Sequence, residues 1–118
     1  MVDQNKVNRA IASFEGKERL LYSNPDNPYE SIYIKAQVEG GCLTITDREC
    51  GHAPDGRWSH RTLSFDAENT QKVFRFLLSK YASSVVGLAN MLNGRNRTAV
   101  FQEACDARGI QYKNTLSF

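Results

Sequence analysis

From residue 32 onward the apolar positions fall on every second residue. "SIYIKAQVE" sets Ile32, Ile34, Ala36 and Val38 against Tyr33, Lys35 and Gln37, the period of a half-buried strand. Gly40-Gly41 follows and supplies the positive φ of a tight hairpin. "CLTITDR" continues the alternation, with Leu43 and Ile45 facing in. "WSHRTLSF" resumes it, with Arg61, Leu63 and Phe65 on one side. Upstream, "KERLLY" is a first strand candidate, set off by the turn-rich "SNPDNP" at 23–28. Three antiparallel strands in a meander are the simplest arrangement, and "KERLLY" makes a fourth.

Asp66 changes the period. In "FDAENTQKVFRFLLSKY" it is placed to cap a helix, with Glu68 in the first turn. Val73, Phe76, Leu77 and Tyr81 form one stripe, widened by Phe74 and Leu78. "SSVVGLANMLNG" reads as a shorter helix capped by Ser83 or Ser84 and ended by Gly94. "NRTAVFQEACDARGI" reads as another, with Val100, Phe101, Ala104 and Cys105 inside, Gly109 as a left-handed cap and Ile110 closing over it. Residues 5–14 place Val7, Ala10, Ile11 and Phe14 at helical spacing, a short helix or ordered arm. Residues 110–118 alternate weakly and stay open between a final strand and a free tail.

Strands segregated from helices predict an α+β fold: an antiparallel β-meander of three to four strands with two to three helices on one face. No βαβ alternation points to a doubly wound nucleotide fold. At 118 residues the chain fits a single domain, 1–118, able to bury its own core. With 41% hydrophobic and 24% charged residues, disorder is not expected over most of the length. The net charge of +2 names no partner. Residues 1–66 carry 8 Lys/Arg against 10 Asp/Glu, and 67–118 carry 7 against 3, so the second half is mildly basic. Three cysteines at irregular spacing read as reduced thiols, and no apolar run reaches membrane-span length. A soluble cytoplasmic protein is the expectation.

The stretch "TDRECGHAPDGRWSH", 46–60, holds the densest candidate chemistry. Cys42, Cys50, His52 and His60 have the softness of zinc ligands, but lack the close pairs of structural sites. Cys42 and His60 lie on the same strand face, which leaves them free to be near each other. Cys50 with His52 or His60 has the residue types of a nucleophile pair but no recognised signature around it. Phosphate-loop motifs are absent, and Arg95 and Arg97 flank a helix start that an anion could use. No cofactor and no enzymatic activity are expected. What remains is a hairpin tip turned by Pro54-Asp55-Gly56. Asp47, Arg48, Glu49, His52, Asp55, Arg57 and Trp58 would be exposed there as a recognition surface. The alternative is a nucleic-acid-binding or regulatory domain using the polar face of Tyr33, Lys35, Gln37, Thr44, His60 and Thr62 with the basic second half.

Two segments, "HRTLSFDAENTQKVFRFLL" at 60–78 and "FQEACDARGIQYKNTLSF" at 101–118, together resemble small bacterial α+β immunity proteins. The systems concerned are contact-dependent growth inhibition and related polymorphic toxins. The resemblance implies a non-enzymatic protein that binds one cognate toxin domain and blocks its active site or a required surface. It carries over no set of site residues.

Overall fold

The computed structural model describes residues 2–24, 31–50, 58–94 and 97–117. The fold is α+β. The order is α1 (Gln4–Phe14), β1 (Glu18–Ser23), β2 (Ile32–Glu39), β3 (Cys42–Cys50), β4 (Trp58–Ser64), α2 (Ala67–Lys80), α3 (Ser84–Met91), α4 (Arg97–Asp106) and β5 (Lys113–Ser117). One antiparallel sheet runs β1-β2-β3-β4-β5, so the chain leaves the meander for three helices and returns to the free edge of β4. "KERLLY" and the C-terminal alternation therefore both become strands, giving five. An edge strand needs only backbone partners on one side, and β5 is exposed along its whole length.

The alternation read from the sequence sets the register. Ile32, Ile34, Ala36 and Val38 of β2, Leu43 and Ile45 of β3, and Leu63 of β4 are buried on one face, with Ala36 opposite Ile45 and Ile45 opposite Leu63. The helices cover that face. Val73, Phe74, Phe76, Leu77 and Leu78 of α2 are buried, as are Val7, Ile11 and Phe14 of α1. Phe14 meets Phe74 edge-on at 5.4 Å, a favoured aromatic geometry. Phe65 meets Phe101 in the same way at 6.2 Å.

Helix ends follow local chemistry. Asp66 accepts from the Asn69 N–H at 2.8 Å and Ser83 from the Val86 N–H at 3.1 Å. Each satisfies an orphan donor of a first turn. Asp3 does the same for Lys6 at 2.8 Å. At the end of α4, Gly109 takes φ +68, the Ile110 N–H reaches the Cys105 carbonyl and the Gly109 N–H reaches Asp106. That pair of bonds is a Schellman cap, and Ile110 closes over it, 4% exposed. Gly40 and Gly41 take φ +60 and +78 in the β2–β3 turn. The Glu15 carboxylate accepts from the Gly40 N–H at 2.6 Å, tying α1 to that turn.

Two helix expectations change. α3 ends at Met91, before Gly94, because Leu92 turns into the core and is fully buried. On α4 the inner face is Thr98, Phe101 and Cys105, while Val100 is exposed. A polar partner on the sheet explains this rotation.

Gly87 marks a close helix approach. A Cβ there would lie 2.8 Å from the Tyr81 ring and 3.1 Å from a Leu77 methyl.

Candidate functional site

The period of two divides β3 and its neighbours into two faces with different chemistry. On the covered face, the positions following Leu43 and Ile45 are Asp47 and Glu49, 3% and 7% exposed. Both were expected at a solvated hairpin tip. They lie inside because β3 runs straight on to Cys50 and keeps its alternation. Asp47 sits opposite Ile34 on one side and Arg61 on the other. The Thr98 hydroxyl of α4 donates to Asp47 Oδ2 at 2.9 Å, while Oδ1 has no hydrogen-bond donor. Burial, reinforced by the neighbouring Glu49 carboxyl, pushes Asp47 up to about 7; Thr98 and Arg61 pull the other way. Arg61 is engaged with Gln102 of α4 at 3.1 Å.

This cluster of Asp47, Glu49, Arg61, Thr98 and Gln102 fastens α4 to the sheet with polar groups. Sequence reasoning placed Arg61 inside and missed the rest. The signal was present for Asp47 and Glu49, since they share the parity of Leu43 and Ile45. Nothing local pointed to Thr98, which is 51 positions away.

Among the described residues, the opposite face of the sheet carries no helix. Its side chains form cross-strand rows fixed by the register. One row is Tyr33–Arg48–His60–Ser117, the next Leu20–Lys35–Thr46–Thr62–Thr115, and the third Glu18–Gln37–Thr44–Ser64–Lys113. Neighbouring strands lie about 4.8 Å apart, so Tyr33 to His60 spans roughly 10 Å. Beyond the first row, Cys50 pairs with Trp58. The cations here are Lys35, Arg48 and Lys113, with His60 among them and the acids Glu18 and Glu39 on the same face. Glu18 is bound to Lys35 at 2.9 Å. With Asp47 and Glu49 turned inward, the bare face is polar, rich in threonine and mildly cationic.

Of the residues expected to bind a partner, Arg48 is exposed on this face and Trp58 opens β4 beside it. Asp47 and Glu49 belong to the covered face. His52, Asp55 and Arg57 lie outside the described residues, as do Arg95 and the Pro54-Asp55-Gly56 turn.

The thiol and metal candidates also change. Cys42 pairs with Glu39 at one end of β3, whereas His60 pairs with Arg48, six residues along. At about 3.4 Å per residue they stand roughly 20 Å apart, too far to share an ion. No cluster of three or more His, Cys, Asp or Glu suited to a metal occurs among the described residues. Cys50 and His60 are diagonal neighbours on the bare face. Cys105 is buried in the core, and burial drives its thiol up to about 12. No helix among the described residues is long and apolar enough to cross a membrane.

Comparison with known protein families, curated proteins and solved structures finds no match to this chain. The molecule is defined by its own geometry: a five-stranded antiparallel sheet, helices on one face and a polar surface on the other.

Proposed function

We propose that this chain is a non-enzymatic binding protein of the immunity type. It would neutralise a cognate bacterial toxin domain in the cytoplasm by seating it on the bare sheet face around Tyr33, Arg48 and His60. The observation that carries this reading is the row these three residues make beside the Cys50–Trp58 pair. Tyrosine and arginine are the side chains most often found as energetic anchors of interfaces. A paired β-sheet holds them in place before binding, so little conformational freedom is lost on association. Because the face is mildly cationic, the contacted toxin surface would carry carboxylates.

A second reading uses the same row. A half-buried aromatic, Tyr33, beside Arg48 and His60 on a sheet face suits stacking and phosphate contact with single-stranded nucleic acid. One experiment separates the two. The protein is captured from its native cell together with whatever it holds. Under the leading reading a single protein co-purifies in equal amount, and co-expression rescues growth from that protein's toxicity. Recovery of nucleic acid alone, lost steeply as salt rises, supports the second reading. Recovery of neither overturns both.

A further inference from the structure

A second charged surface lies on the helix layer. On α2, Lys72, Arg75, Phe76, Ser79 and Lys80 recur at spacings of three and four, which is one face of the helix. With Arg108 and Ile110 they line an open groove of about 360 Å³. Four of those seven residues are cations and none is a carboxylate.

Among the described residues no carboxylate forms an ion pair with these cations. Arg108 stacks 3.8 Å from the centre of the Phe76 ring and donates to the Ala104 carbonyl at 2.8 Å. Arg75 donates to the Val2 carbonyl at 2.9 Å and to the Gln4 side-chain oxygen. Lys72 and Lys80 are exposed. None of the four is ion-paired among the described residues, whereas Lys35 is held by Glu18 on the bare sheet face. The nearest acids on α2 are Asp66 and Glu68, which fence the end beyond Lys72. The Asp66 carboxyl is held below its usual range chiefly by the Asn69 N–H, with Lys72 contributing.

We propose that this groove binds an extended acidic peptide segment of a protein partner. The span of the cations selects that occupant. Lys72 and Lys80 are eight residues apart, about 12 Å along a helix rising 1.5 Å per residue. One small anion cannot reach both ends. An extended chain at about 3.3 Å per residue covers the distance in roughly four residues. Its carboxylates would lie on Lys72, Arg75, Lys80 and Arg108, and an apolar side chain would rest on the aliphatic stems above Phe76 and Ile110. The groove lies on the helix side, away from Arg48, so it is a contact separate from the bare sheet face and stands or falls independently of it.

The test uses the whole protein and a fluorescein-labelled peptide of glutamates with a central leucine, followed by fluorescence anisotropy at low salt. Saturable binding is expected, weakening as salt rises. The double variant Lys72→Glu/Lys80→Glu alters two exposed side chains and should lose about tenfold or more in affinity, a loss of about 1.4 kcal/mol. It should stay folded, melting only slightly lower because Lys80 lies in the last turn of α2 and Lys72 acts on Asp66. Arg48→Glu should bind the peptide unchanged. No saturable binding up to millimolar peptide overturns the proposal. So does equal weakening by Arg48→Glu, or tighter binding of single-stranded RNA of the same charge that the double variant also abolishes.

Discussion

The two faces of the sheet are built from the same strands and carry opposite chemistry. The covered face begins at the β2–β3 turn as a dry core of Val38, Leu43, Ala36, Ile45 and Leu63 and ends in the polar cluster around Asp47. The bare face alternates with it, residue for residue, and holds threonines, Tyr33, Arg48 and His60. Substitutions on the covered face should therefore act on stability, and under the proposed function those on the bare face should act on binding. The Asp47 cluster is where the division is under most tension, because it puts ionisable groups on the structural side.

The largest effect should come from the dry part. Phe74 is fully buried and packs edge-on against Phe14. Phe74→Ala removes a ring from the packed core and should cost about 3–5 kcal/mol, read as a lower denaturation midpoint.

Next comes Asp47. Its raised value means the folded protein holds a proton that the unfolded chain releases near pH 3.8. Stability from this group is complete below that value and is lost as pH rises to about 7. Asp47→Asn keeps an acceptor for Thr98 and cannot ionise. It should be more stable than the wild type at pH 8, by an amount on the order of a few kcal/mol, with the gap closing toward pH 4. Asp66 works in the other direction, since its lowered value gives stability that is lost as pH falls below 3.8. Melting curves across pH 3 to 9 for both proteins check the sign. A wild type that gains stability steadily up to pH 8 would mean Asp47 is ionised without penalty.

The smallest effect should be on the bare face. Thr62 stands between Thr46 and Thr115, and such cross-strand pairs are worth less than about 1 kcal/mol. Thr62→Ala should shift the melting midpoint little. A loss comparable with that of Phe74→Ala would show that this face is buried against something in the folded state.

The contrast between the faces was partly legible in the sequence. Alternation in "SIYIKAQVE" and "WSHRTLSF", the Gly-Gly turn, the Asp66 cap, a cap at Ser83 or Ser84 (Ser83 in the structure) and the Gly109 cap are local signals, and each led to the element observed. Asp47 and Glu49 were misplaced because the hydrophobic pattern stops at Ile45 while the strand does not. Charge at the end of a strand looks like a loop unless a partner is known. That partner, Thr98, comes from a helix 51 positions away, and the same hidden contact turns Val100 outward. The C-terminal strand was ambiguous for a related reason: an edge strand that buries nothing leaves almost no periodic trace. Arg48 was found from its chemistry, but its neighbours Tyr33 and His60 are joined to it only by register.

The claim that the bare face is the binding surface is tested most directly by comparing wild type and Arg48→Glu side by side. The two proteins are immobilised for capture from native cell extract, and their melting temperatures are measured in parallel. If the face binds the partner, Arg48→Glu keeps its melting temperature and retains at least about tenfold less of the partner protein. Undiminished capture by Arg48→Glu, or a loss of capture that only follows a loss of folding, would contradict it.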